Sequence, residues 1–211
     1  MNSSSVIVLG SGGHARVLID ALLLNSVKLL GTTDAVPNSI LLLGVPCLGD
    51  DSVVERYSSG EVRLVNGVGS TTQPYLREKL FKKFKKLGYE FFNVIHPSAV
   101  IAADVSLGEG VQVMAGAIIQ SGSVIGDNVI VNTNASVDHN CQIGQHVHLA
   151  PGVVVCGNTC IQELVHVGTG AKILQSIRVG AYALVGAGTL VKSDIEDSER
   201  SVLGCDGEGI I

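Results

Sequence analysis

Six histidines occur in this chain, and three lie close together: His139, in the string Asp138-His139-Asn140, then His146 and His148. An imidazole with an ordinary pKa of about 6.5 is largely neutral near pH 7 and can take a proton from an attacking nucleophile. Three histidines can instead converge on zinc, but these show no obvious convergent spacing. Each can also be a plain strand or corner residue, most simply His146 and His166. A second string, Gly10-Ser11-Gly12-Gly13-His14-Ala15, has the form G-x-G-x-x-A. Glycines at such a turn let phosphate approach the backbone, and the helix that follows offers N–H donors and a favourable dipole. Asp34 could accept hydrogen bonds from a ribose or base, and Asn66-Gly67-Val68-Gly69-Ser70 supplies a second glycine-rich turn.

The elements that must position these groups follow different rules in the two halves. Val6-Ile7-Val8-Leu9 is a buried strand, and Val17, Leu18, Ala21 and Leu22 mark the helix after the glycine turn. A second strand is expected from Val27 to Gly31, and a third at Arg63-Leu64-Val65. A helix is expected from Tyr75 to Leu87, with Leu76, Leu80, Phe81, Phe84 and Leu87 inward and the lysines on a solvated face. This part has fewer than about a hundred residues, too few for a complete two-half dinucleotide fold, so a mononucleotide unit fits better.

Beyond residue 95 the pattern changes. Stepping by six from Ile101 to Val191 meets sixteen residues that are all Ile, Leu or Val. If such residues made up about a third of the segment, chance would give that run well below roughly one time in a million, so the repeat is taken as structural. Small or β-branched residues stand two positions earlier (Ala99, Val105, Val111, Ala117, Ala135), as a second inward site on a short strand requires. Gly108, Gly126, Gly144, Gly168, Gly180 and Gly186 follow the aliphatic residue, where tight turns are expected. Three hexads per turn predict a triangular parallel β-helix with a stacked aliphatic interior. His139 and His148 then belong to different sides of the column, so a ligand touching both must round a corner or bridge two chains. His148 and His166, one coil apart, should stack.

The formal net charge of −5 over 211 residues argues against a nucleic-acid partner, which would call for a basic face. The five cysteines show no CxxC spacing, so neither a disulfide framework nor a zinc knuckle is expected, and a reducing cytoplasm is the simplest setting. Met1-Asn2-Ser3-Ser4-Ser5 does not look like a signal peptide, and no apolar run approaches the roughly 20 residues of a membrane span.

Taken in order, three groups of strings resemble the sugar O- and N-acetyltransferases of the NeuD/PglD group, in the left-handed β-helix acyltransferase superfamily. They are Val6-Ile7-Val8-Leu9-Gly10-Ser11-Gly12-Gly13-His14, then Ile95-His96-Pro97-Ser98-Ala99, then Val137-Asp138-His139-Asn140-Cys141 with His148-Leu149-Ala150-Pro151-Gly152. The resemblance covers nearly the whole chain. It implies an α/β N-terminal Rossmann-like domain (residues 1–94) for a nucleotide sugar, followed by a left-handed parallel β-helix (residues 95–211) for acetyl transfer. It further implies a homotrimer with acetyl-CoA in the grooves between subunits, no metal, and a UDP-linked 4-amino-dideoxy sugar of surface-glycan synthesis as acceptor. By resemblance His139 is the general base beside Asn140, and His148, Thr169 and Ala187 lie along acetyl-CoA. Gly12, Gly13, His14, Asp34 and Gly69 surround the nucleotide sugar.

Two features depart from the family pattern. Asn140 stands where the family has Asp or Glu, so an amide orients the ring without adding charge. The tail reads Val202-Leu203-Gly204-Cys205-Asp206-Gly207 in place of Gly-Val-Pro-Ala. Three alternatives stay open: O-acetylation of a sialic acid, a non-catalytic nucleotide-sugar scaffold, and a zinc enzyme of the γ-carbonic anhydrase type.

Overall fold

The structure, a computed structural model, describes residues 5–36, 41–70 and 74–201; the divergent tail from Val202 lies outside the described residues. A three-stranded parallel sheet comes first. Its strands β1 (Ser5–Leu9), β2 (Leu29–Thr33) and β3 (Val62–Asn66) run in the order β2-β1-β3. Val6 to Leu9 are all 0% exposed, as a central strand covered on both sides must be. Alternate residues feed opposite cores. Val6 and Val8 pack with α1 (Gly13–Leu24), whereas Ile7 and Leu9 pack with Phe81 and Phe84 of α2 (Pro74–Lys86).

Two expectations shift here. β2 begins at Leu29 and not at Val27, because Val27 N–H still donates to Leu22 O at 3.0 Å and closes the end of α1. On α2 Leu76 is exposed (42%), as is Leu87 just past its end (48%), and the inward place beside Phe81 and Phe84 goes to Arg77, 2% exposed.

The second part is a parallel β-helix of about six turns. Gln112 pairs with Ile130 and Ile130 with His148, so one coil takes 18 residues. Every strand is two residues long, its second residue pointing into the column and its first outward. Face one has seven strands from Val94–Ile95 to Arg200–Ser201, face two six from Val100–Ile101 to Leu190–Val191, and face three five from Ser106–Leu107 to Arg178–Val179. The inward aliphatics from Val113 to Val185 are at most 3% exposed and form one continuous core with Val111, Ala117, Ala135, Val147 and their equivalents.

The corners correct one expectation. The glycines directly after the aliphatic residue do not take the left-handed backbone; that falls three residues after it, in three ladders. Gly110, Asn128, His146, Leu164 and Tyr182 turn face three into face one. Gly116, Asn134, Gly152, Gly170 and Gly188 turn face one into face two, and Gly122, Asn140, Asn158 and Ser176 turn face two into face three. Gly108, Gly126, Gly144, Gly168 and Gly180 have another cause: a Cβ there would come within 2.4–2.8 Å of the next coil's backbone.

The α/β unit sits on face one. Met114, Ile130 and Val94 share a core with Val6, Val8 and α1, which is why Ile130 and Gln112, though outward on the column, are 0% and 1% exposed.

Candidate active site

The carboxyl ends of β1, β2 and β3 open into a cleft of about 590 Å³. Gly10 to His14, Asp34, Ala35, Asp51, and Gly67 to Gly69 line it, with Leu76 and Leu80 forming an apolar wall. It therefore gathers Gly12, Gly13, His14, Asp34 and Gly69, all singled out in the sequence. At its floor, a Cβ on Gly67 would lie 2.7 Å from Leu9 O, so only glycine lets β3 turn away so close to β1. Asp34 accepts hydrogen bonds from Ser11 Oγ and from Val36 N–H, and these hold its carboxyl below the usual range. Asp51 accepts from Thr33 Oγ1 at 2.5 Å. Ser11 and Asp51 were not foreseen; their place became visible only once the strand ends were set side by side.

Behind the cleft, polar side chains bind the α/β unit to the column. Gln112 Nε2 donates to Asn66 O at 2.8 Å, so Gln112 Oε1 must accept, and it does so from His14 Nε2–H at 2.8 Å. His14 is thus a neutral imidazole, its pKa lowered to about 4 by burial first and by the Arg77 charge second. Among the described residues, Arg77 has no carboxylate partner. Its guanidinium donates to Asn66 O (2.7 Å), Val68 O (2.9 Å) and Asn128 O (3.4 Å), and burial lowers its pKa to about 9. It thereby clamps the cleft-lining turn to a corner of the column.

His148, expected beside acetyl-CoA, is 5% exposed and lies in this seam. Ser70 Oγ is 2.6 Å from its Nδ1, and Asn132 Nδ2 donates to Nε2 at 3.1 Å. Asn132 Oδ1 accepts from Thr133 N–H, which fixes the amide, so His148 carries its proton on Nδ1 and donates to Ser70. A Ser–His pair in that tautomer cannot make the serine a nucleophile. Burial, then His166, lowers the His148 pKa to about 2. The expected stack is present: His148 pairs in register with His166, and the rings meet edge-on with centroids 4.9 Å apart. His146 is a corner residue whose ring packs against Phe81. His139, His146 and His148 do not converge, and among the described residues no group of three or more metal-type side chains does.

His139 stands elsewhere, exposed at the corner between faces two and three. Its Nδ1 lies 2.9 Å from Asn140 Oδ1. An amide oxygen only accepts, so Nδ1 carries the proton and Nε2 keeps a free lone pair, the state a general base needs. The left-handed backbone of Asn140 (φ 57°) turns its side chain back on the ring. Thr169 and Ala187 are exposed one coil apart at the corner between faces one and two. Face two is therefore edged by His139 on one side and by Thr169 and Ala187 on the other. Three of its four outward aliphatics are bare, Val100 at 61% exposed, Ile118 at 36% and Leu190 at 44%, and Val154 is half-buried. In a three-sided column the corner carrying His139 is opposite face one, where the α/β unit sits. His96 and Ser98 cap the first coil: Ser98 Oγ lies 2.8 Å from His96 Nδ1 and accepts from Gly116 N–H at 3.2 Å.

Residues 5–84 match the PglD N-terminal domain family, and residues 122–157 match the bacterial transferase hexapeptide (six repeats) family. The chain is 38% identical to PerB from Caulobacter crescentus, solved in complex with CoA and GDP-perosamine; the match covers 94% of each chain with a TM-score of 0.88. A perosamine N-acetyltransferase from the same organism, with one histidine replaced by asparagine, is 37% identical over 94% of this chain and 93% of that one, with a TM-score of 0.88. The acetyltransferase domain of PglB from Neisseria gonorrhoeae FA1090, in complex with acetyl coenzyme A, is 31% identical over 95% of this chain and 97% of that one, with a TM-score of 0.89. A curated relative, UDP-3-O-acylglucosamine N-acyltransferase from Leptothrix cholodnii, is 60% identical over 35 residues; the chain spans 10% of its length.

Proposed function

Because the chain belongs to the PglD-type sugar N-acetyltransferases of the hexapeptide-repeat superfamily, we propose that it moves acetyl from acetyl-CoA to the amine of a nucleotide-linked amino sugar. Residues 1–94 hold the nucleotide sugar and residues 95–211 carry out the transfer. The observation that carries this reading is His139, held by Asn140 with its Nε2 lone pair free, on a fold that also offers a glycine-floored cleft.

The cleft takes the nucleotide. Helix α1 starts at Gly13 against it, so backbone N–H groups and the helix dipole favour a pyrophosphate although the chain is net negative. Arg77 adds a fixed positive charge beneath the Gly67–Gly69 turn, and Asp34 receives ribose or base donors. Acetyl-CoA lies along face two between Thr169, Ala187 and His139. His148, whose two ring nitrogens are taken up by Ser70 and Asn132, would contribute to that groove by holding Asn132 in place.

The sugar amine, unprotonated, attacks the thioester carbonyl carbon and forms the C–N bond. His139 Nε2 accepts the proton that leaves nitrogen, and backbone N–H groups at this corner hold the oxyanion. Collapse breaks the C–S bond and releases CoA as thiolate, a fair leaving group with a thiol pKa of about 8.5, which takes up a proton.

One chain does not bring its own cleft to its own His139, because the two flank opposite parts of the column. In the homotrimer we propose, a second copy laid against face two would bring its cleft towards this chain's His139, so that each site is shared between subunits.

UDP is our choice of nucleotide. GDP is the second reading, favoured by the GDP-perosamine in the PerB complex. Incubation with acetyl-CoA and a panel of UDP- and GDP-linked 4-amino sugars, read as CoA release by a thiol reagent, should show turnover with one nucleotide series. Nucleotide binding with no CoA release across the panel would leave only the scaffold reading. His139→Ala should lower kcat at least about 100-fold at saturating substrates; near-wild-type turnover would remove His139 as the base.

A further inference from the structure

We propose that Gly157 is a positioning residue for the reaction: its missing side chain is the seat on which the His139 ring rests. This builds on His139 as the general base. A Cβ at position 157 would lie 2.6 Å from His139 Nε2, 2.7 Å from Cε1 and 3.1 Å from Cδ2. The ring therefore lies over the glycine of the following coil, with the reacting nitrogen nearest to it.

Backbone shape does not call for glycine there. The left-handed residue of that corner is its neighbour Asn158 (φ 59°), and Gly157 itself lies outside the left-handed region. Coil stacking does not call for it either. At Gly108, Gly126, Gly144, Gly168 and Gly180 an added Cβ would strike backbone, whereas at Gly157 the three nearest atoms all belong to the His139 ring. Along the same corner the equivalent positions one coil away on either side carry side chains, His139 and Gln175.

The backbone beneath the ring cannot move aside, because Asn158 N–H donates to His139 O at 2.9 Å. On its other side the ring is held by Asn140, whose amide is itself seated over a glycine: a Cβ on Gly122 would lie 2.8 Å from Asn140 Nδ2. Two glycines, each one coil from the group it supports, thus set the ring and the amide that orients it. A methyl group at 157 would push the ring outward and spoil the approach of Nε2 to the amine, and a displacement of about 1 Å can cost about 100-fold in rate.

Gly157→Ala is a fair test because the atom in its way is the movable end of a side chain. The variant should fold with a wild-type melting temperature and lose about 10- to 100-fold in kcat, with KM for acetyl-CoA and for the sugar within about 2-fold. In a ¹H–¹³C spectrum, the His139 Cε1 signal, assigned by its loss in His139→Ala, should move. In the His139→Ala background, Gly157→Ala should cost nothing further, as expected for a residue acting only through that ring. Wild-type kcat, an unmoved Cε1 signal, or a KM for acetyl-CoA that rises in step with the loss would overturn the proposal. So would rate losses that multiply in the double variant, which would give Gly157 a direct contact with the reacting groups. If His139→Ala itself keeps turnover, the base assignment falls and this inference with it; an inactive His139→Ala beside a fully active Gly157→Ala refutes the seat alone.

Discussion

At the scale of single residues, the chain separates a histidine that must exchange a proton from histidines that must not. His139 is exposed, and its ring has one hydrogen-bond partner among the described residues, an amide oxygen that fixes the tautomer and adds no charge. Asn140→Asp keeps the acceptor and adds a negative charge beside the ring, which favours the imidazolium. The acid side of the kcat/KM profile should then move to higher pH, and Asn140→Ala, which frees the ring, should lower kcat about 10-fold. A profile unchanged in Asn140→Asp would mean that the 2.9 Å contact is not made in the working enzyme. His14 and His148 are the opposite case, with pKa values lowered to about 4 and about 2, burial being the main cause in both. In the unfolded chain each returns to about 6.5. Below that pH the unfolded state takes up protons that the folded state refuses, so stability is fully present above about pH 7. It falls from about pH 6.5 towards 4, by about 1.4 kcal/mol per pH unit for each of these two histidines. Urea melts from pH 8 to 4 should show that slope, reduced in His14→Gln. A midpoint constant from pH 7 to 5 would contradict the seam as described.

At the scale of elements, two kinds of glycine serve the corners of the column, and they should respond differently to a methyl group. Gly170 is left-handed (φ 69°) with open space where its Cβ would be, so Gly170→Ala should cost only the left-handed penalty of about 1–2 kcal/mol. Gly170→Asn should cost less, since Asn134 takes the same backbone in this ladder and Asn128 and Asn140 take it in the other two. Gly168 is not left-handed, but its Cβ would lie 2.5 Å from Ala187 N and 2.8 Å from Gly186 C. Coils would have to part, so Gly168→Ala should lower the melting temperature well beyond Gly170→Ala; equal losses would undo the distinction. Sequence pattern reveals the column because every inward site is filled by one class of residue at one period. The two glycine roles are not separable in sequence, because both are written with the same letter and only the distance to the next coil distinguishes them. On α2 the limit is different. Helical periodicity sorts residues by polarity, so it sends Arg77 outward and Leu76 inward, whereas the carbonyls of Asn66, Val68 and Asn128 make an inward place for the guanidinium.

At the scale of the whole molecule, the cleft was legible from a local motif, but the seam behind it was not: His14 meets Gln112 and Ser70 meets His148 across 98 and 78 residues of chain. Nor does sequence alone say which side of the column is left uncovered. Face one is closed by the α/β unit, while Val100, Ile118 and Leu190 stand outward on face two with much of their surface in water. Each of these aliphatics, fully buried, would contribute about 1.5–3 kcal/mol, and a charge in its place would have to be desolvated without a partner. If face two is where copies meet, Val100→Asp and Ile118→Asp should shift the protein from trimer to monomer by light scattering at micromolar concentration. Because His139 borders that face and the α/β unit is on the far side of its own chain, acetyl transfer should be lost together with the trimer. Nucleotide binding, which needs only the cleft of one chain, should survive in the separated subunits. Leu87→Asp, just past the end of α2 at 48% exposure, should change neither assembly nor turnover. Monomeric Ile118→Asp with full activity would show that one chain completes the site alone, and the placement of acetyl-CoA along face two would have to be abandoned.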